Sequence, residues 1–225
     1  MEIIEKELNP GQKTLSEYDS KKIISSYQIP VAREILVGDR ESLFSAVREI
    51  GYPVVLKGCS SEIMHKTEKG LIRVDIRDDN EAEKAFDELY QKMNTVDGKI
   101  LVQEMVRGTR EILIGMSRDH MFGPCVMFGL GGIFAETLRD ISLRVAPLEL
   151  NDALEMMAEI KGHMILEAIR GMKAVDKYLV ADILIKIGKI GLENENIKEI
   201  DINPIIITSD GTLAVVDALV VFSSN

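Results

Sequence analysis

His65, one of only three histidines, stands in SSEIMHKTEKGL between two apolar runs, YPVVLKG and LIRVDI. At neutral pH an imidazole with a reference pKa of about 6.5 is largely unprotonated. Its free nitrogen can attack phosphorus and hand the phosphoryl group onward. If donor and acceptor lie apart, that chemistry needs a mobile segment, which a polar loop ending at Gly70 would supply. A loop histidine is also an ordinary surface residue, so the remaining residues must decide. Near the other end, EIDINPI carries Asp201 and Asn203, and VVDAL carries Asp217. Strand alternation turns Asp201 and Asn203 to one face. If the two segments pair across Ser209-Asp210-Gly211, two carboxylates and an amide oxygen converge, a hard-oxygen set suited to Mg²⁺ on nucleotide phosphates. Solvent-facing strand residues are the competing reading, although an aspartate within LAVVDALVVF is costly unless paired or metal-bound.

FGLGGIFAET places Gly129, Gly131 and Gly132 after an apolar run, so backbone N–H groups at Gly131 and Gly132 could cradle an anion or simply make a tight turn. Neither GxGxxG nor GxxxxGK[ST] is present, which argues against a dinucleotide fold or a P-loop. Lys57, at a strand end before Gly58, is placed as a point charge for phosphate oxygens, a position lysine also takes for solubility. Glu104 in VQEMV and Glu111 in REILIG could meet ribose hydroxyls or metal, or could be surface charges. His120 and His163 have no comparable neighbours.

The elements that must carry these residues alternate. TLSEYDSKKIISSY reads as a helix with Ser16 as N-cap and Asp19 three residues on. VAREILV is a strand, Asp39 opens the helix RESLFSAVREI, and Gly51 closes it. YPVVLKG and LIRVDI are strands, and a helix follows Asn80. KILVQEMV, REILIGMSRD and PCVMFGL are three further strands, ISLRVAPL is extended, and helices start at about Asn151 and Asp176. IKEIDINPIII and TLAVVDALVVF close the chain as two paired strands. This order predicts a mixed α/β, or α+β, protein with two lobes, 15–105 and 106–225, a hinge near 104–110, and 1–14 as an N-terminal extension.

Of 225 residues, 46% are hydrophobic and 28% charged, which is globular composition. A net charge of −10 argues against a nucleic-acid partner, whose footprint would be basic. Two distant cysteines, an acidic N-terminus and no apolar stretch of membrane length predict a cytoplasmic protein with no membrane partner.

Ten segments in order, LSEYDSKKIISSYQIPV, YPVVLKG, IMHKTEKG, LVQEMV, REILIGM, FGLGGIFAE, LRDISLRVAPL, IRG, EIDINPI and AVVDAL, resemble the ATP-grasp part of the NDP-forming acyl-CoA synthetases. The likeness runs from Leu15 to Phe222, and the INP…D ending is shared with the nucleotide-binding subunit of succinyl-CoA synthetase. The resemblance implies an ATP-grasp fold, two lobes clasping ATP or ADP with Mg²⁺. It also implies a beta subunit working with a larger CoA-binding alpha subunit as a heterotetramer, α2β2. The implied reaction is acyl-CoA + ADP + phosphate ⇌ acid + ATP + CoA, acetate being the commonest acid. His65 matches the phosphohistidine of the beta subunit and Lys57 the phosphate-contacting lysine. Glu104 falls at the adenine hinge, and Glu111 lies near the ribose. Asn203 and Asp217 match the Mg²⁺ ligands, and Arg144 is a further phosphate contact. Leu71 replaces the second glycine usual after the loop, and Glu68 replaces the commoner aspartate. A non-catalytic nucleotide-sensing module, a regulatory subunit or one associated with an acyltransferase, is the alternative reading. The joint presence of His65, Lys57, Asn203 and Asp217 argues against a degenerate copy, while a sensor would bind Mg·ADP without carrying covalent phosphate.

Overall fold

The computed structural model describes residues 14–60, 69–93, 98–132 and 140–223. Its contacts form two units. The smaller contains Leu15–Asp19 and Ala32–Met105. Its sheet is antiparallel, in the order β1-β4-β2-β3, from β1 (Glu34–Val37), β2 (Val54–Cys59), β3 (Ile72–Ile76) and β4 (Lys99–Glu104). Helices α2 (Arg40–Ile50) and α3 (Asp79–Met93) bury Leu43, Val47, Phe86 and Leu89 against Val54, Leu56 and Val102 of the sheet. Helix α2 begins where the Asp39 carboxylate accepts from the Ser42 N–H at 2.8 Å and ends at Gly51, whose φ of 86° other residues resist. Since Val54 and Leu56 face the helices, alternation turns Lys57 to the opposite face of β2.

The larger unit contains Ser20–Val31 and the chain from Val106 onward. Its strands are β5 (Gly108–Asp119), β6 (Gly123–Leu130), β7 (Ile141–Val145), β8 (Ile197–Thr208), β9 (Leu213–Val215) and β10 (Leu219–Phe222). They run in the order β10-β8-β5-β6-β7, with β9 also on β8, and every pairing is antiparallel. Helices α4 (Leu150–Glu159) and α5 (Lys177–Glu193) cover one face, where Ile114, Met116, Val126, Phe128, Ile200 and Ile202 are buried.

Helix α1 (Glu17–Ser26) opens as its sequence predicts, the Ser16 hydroxyl accepting from the Asp19 N–H at 3.1 Å. The expected block 15–105 is interrupted, however, because Ser20–Val31 groups with the larger unit. The Ser20 hydroxyl accepts from the Val220 N–H at 3.1 Å, and the Pro30 carbonyl accepts from the Val215 N–H at 3.0 Å. The contacts also divide between Met105 and Val106.

TLAVVDALVVF is not one strand. It breaks between Val215 and Leu219, opposite Asn203-Pro204. Proline has no N–H to give to a ladder, so a strand crossing it is interrupted. Pairing with β5 also slips by one residue between Ile112 and Ile114, a bulge at the same level. Among the described residues no helix is long and apolar enough to cross a membrane.

Candidate functional site

The interruption in β8 places the acidic residues. Ile205 pairs with Val215 and Asp201 with Leu219, so Asp217 falls opposite Asn203 across the gap. Val216 N–H reaches the Pro204 carbonyl at 3.3 Å, which holds the broken segment beside β8. From the other flank, Lys21 of α1, only 1% exposed, donates to the Val216 carbonyl at 3.4 Å. The residue before Asp217 is thereby tied on both sides.

The glycine turn after β6 closes over the same place. Gly132 N–H donates to Asn203 Oδ1 at 3.2 Å, and Gly131 N–H to the Glu111 carbonyl at 2.8 Å. Gly132 has φ +61°, and a Cβ there would collide with the Glu111 carboxylate. A Cβ on Gly131 would lie 2.8 Å from the Ile112 backbone. The Gly132 position therefore favours glycine for its backbone conformation, and the Gly131 position for its close approach to the Ile112 backbone. Asn203, Asp217, Glu111, Gly131 and Gly132 thus meet in one cluster, two residues along β8 from Asp201.

Burial pushes the Asp201 carboxyl up to about 6, with the Glu199 and Asp217 carboxylates adding to the shift. A cation would relieve this excess of negative charge. Among the described residues no three His, Cys, Asp or Glu side chains form a metal site by themselves. Mg²⁺ does not need one, because it takes one or two carboxylates and completes its shell with water and phosphate oxygens. The donor set of Asn203, Asp217 and Asp201 fits it.

The sheet face carrying Asp201 also carries Gly115, Met127 and Leu143, which follow one another across the register. A hollow of about 340 Å³ opens there beside Asp201. Arg144 is on the other face, opposite the buried Val126. Its guanidinium is bound by Glu159 of α4, with Glu155 3.7 Å away. The structure does not bring it to the cluster.

Lys57 and Glu104 belong to the smaller unit. Lys57 is 5% exposed, and its ammonium lies 2.8 Å from the Glu17 carboxylate. Glu104 accepts from the Arg33 backbone N–H at 2.8 Å and from its Nε at 2.9 Å, so its carboxylate clamps the start of β1 to the end of β4. His65 lies outside the described residues. Glu17 and Lys21 were not singled out in the sequence. The signal was their spacing: Glu17, Ser20, Lys21 and Ile24 share one stripe of α1, all buried, so charge sits where a helix normally buries apolar atoms.

Two antiparallel sheets with a hard-oxygen cluster at a broken strand suit a divalent cation, and comparison gives the family. The ATP-grasp domain pattern matches residues 6–222. The beta subunit of ADP-forming acetate–CoA ligase I from Pyrococcus furiosus is 43% identical, over 95% of this chain and 94% of that one. The ADP-forming acetate–CoA ligase I of Archaeoglobus fulgidus is 36% identical over 96% of this chain, which spans only 32% of that longer protein. The dinucleotide-forming acetyl-coenzyme A synthetase 1 of Ca. Korarchaeum cryptofilum is 42% identical and covers 99% of both chains. Its TM-score is 0.92 in complex with coenzyme A and Ca-AMPCP. In complex with Mg-AMPPCP, with that protein's phosphohistidine segment pointing towards its nucleotide-binding site, the TM-score is 0.86. The chain belongs to the ATP-grasp family, in the branch of the beta subunits of ADP-forming acetate–CoA ligases.

Proposed function

We propose that this chain is the nucleotide-binding subunit of an ADP-forming acyl-CoA synthetase, catalysing acyl-CoA + ADP + phosphate ⇌ acid + ATP + CoA with a larger partner. The observation that carries the proposal is the oxygen cluster of Asn203, Asp217 and Asp201 beneath the Gly131-Gly132 turn. Asn203 and Asp217, with Asp201 beside them, hold Mg²⁺, whose charge offsets that of the nucleotide phosphates. The Gly131-Gly132 turn and Glu111 stand beside the same cluster, and Lys57 supplies a point charge to phosphate. Residues 15–105 and 106–225 serve as the two lobes, with 1–14 as an extension.

In this reading a nitrogen of His65 accepts the phosphoryl group that the partner has received from acyl phosphate, forming an N–P bond. It then passes that group to the terminal phosphate oxygen of ADP, and the imidazole is regenerated. The partner carries CoA and acyl chemistry, since the Archaeoglobus relative continues for about two thirds of its length beyond the matched region. Acetate is the acid named for the Pyrococcus and Archaeoglobus relatives. A cytoplasmic α2β2 assembly completes the reading.

Calorimetric titration with Mg·ADP tests the nucleotide site. Asp217→Asn and Asn203→Ala should each weaken binding about tenfold or more, the loss of a charge-assisted contact, while keeping the fold. Unchanged affinity in both variants would move the metal site elsewhere.

A further inference from the structure

We infer that Glu17 is a positioning residue for Lys57, holding its ammonium where phosphate is met; this rests on the reading of Lys57 as a phosphate contact. The pair is built from two directions. β2 turns Lys57 away from α2 and α3, and the cap at Ser16 fixes the first turn of α1, where Glu17 sits. The two groups meet at 2.8 Å, with the glutamate side chain 1% exposed and the lysine side chain 7%.

Burial of such a pair has no general advantage for stability. Taking both charges out of water costs about what their attraction returns, and an apolar pair of like volume often does as well. A phosphate-contacting role for Lys57 gives the arrangement a reason. A lysine side chain has four rotatable carbons and a strongly hydrated head, and orders poorly by itself. The Glu17 carboxylate fixes the head and supplies a counter-charge until phosphate arrives. Near the N-terminus of α1 that carboxylate is itself favoured by the helix dipole. Glu17 touches no reacting atom in this account and acts through Lys57.

The test measures Mg·ADP affinity of the full-length chain by calorimetry, with thermal unfolding recorded in parallel. The variants are Glu17→Gln, Glu17→Asp, Lys57→Met and the double variant Glu17→Gln/Lys57→Met. Glu17→Gln should weaken Mg·ADP binding about tenfold, and Glu17→Asp should recover part of the loss. In the Lys57→Met background Glu17→Gln should add nothing further, because its target is gone. The double variant removes both members of the pair, so it keeps the comparison available if Glu17→Gln alone folds poorly; an additional loss in the double variant then overturns the inference. A Glu17→Gln protein that unfolds earlier but binds Mg·ADP as the wild type does, while Lys57→Met binds weakly, overturns it and leaves the phosphate role of Lys57 intact. Unchanged binding in Lys57→Met overturns it through the reading it rests on.

Discussion

At the scale of single residues, two positions separate conformation from site. Gly132 and Gly123 both have positive φ, +61° and +76°, but only Gly132 would bring a Cβ against a side chain, the Glu111 carboxylate. Gly123→Ala should cost about 1–2 kcal/mol of stability, the left-handed penalty alone, and leave Mg·ADP affinity unchanged. Gly132→Ala should lose affinity at a comparable stability cost. Denaturant melts paired with calorimetry distinguish the two. Asp201 makes a pH prediction. Its carboxyl, raised to about 6 in the fold from 3.8, holds a proton through a range in which the unfolded chain has released it. Folded stability without metal is therefore lost as pH rises from about 4 to about 6, by at most about 3 kcal/mol, and the loss persists at neutral pH. Asp201→Asn should stabilise the chelator-treated protein at pH 7.5 and give no such gain at pH 4. A variant less stable than wild type at pH 7.5 would contradict the repulsion described here. That Asn203 and Asp217 come to lie opposite each other was legible from the turn between their segments. The setting of Arg144 was not, because ISLRVAPL does not tell which face of β7 meets α4, and that choice ties its guanidinium to Glu159.

At the scale of elements, the reading succeeded where a local signal and the tertiary requirement agreed. Ser16, Asp39 and Asp176 begin their helices because each side chain satisfies an N–H of the first turn. The helix expected after Asn80 starts one residue earlier, at Asp79. The last strand was misread because its apolar run gives no internal sign of a break. The break comes from Pro204 on the neighbouring strand, a long-range cause that periodicity within LAVVDALVVF cannot register. That same break gives Asp217 its place opposite Asn203. Packing makes a separate prediction for the smaller unit. Leu89→Ala, at a fully buried position between α3 and the sheet, should cost about 2–5 kcal/mol and leave the residual folded fraction with ordinary Mg·ADP affinity. An affinity that falls in step with stability would mean that this core and the nucleotide site are coupled.

At the scale of the whole molecule, contacts group Leu15–Asp19 with the smaller unit and Ser20–Val31 with the larger. Glu17 meets Lys57 within the smaller unit, and Lys21 meets the Val216 carbonyl within the larger. An acidic protein of charge −10 can still serve nucleotide chemistry, because lysine and Mg²⁺ make the positive field local, whereas the Gly131 and Gly132 N–H groups are taken by Glu111 and Asn203. The account predicts that the chain alone makes no ATP from acyl-CoA, ADP and phosphate, and that adding the larger subunit restores the reaction. The most direct measurement of the central claim follows label from γ-labelled ATP with Mg²⁺ onto the chain, with and without that subunit. An acid-labile, base-stable phosphate on wild type, missing from His65→Asn, is the predicted result. Nucleotide binding with no histidine-bound label, even with the partner present, would contradict the relay and leave the chain a nucleotide sensor.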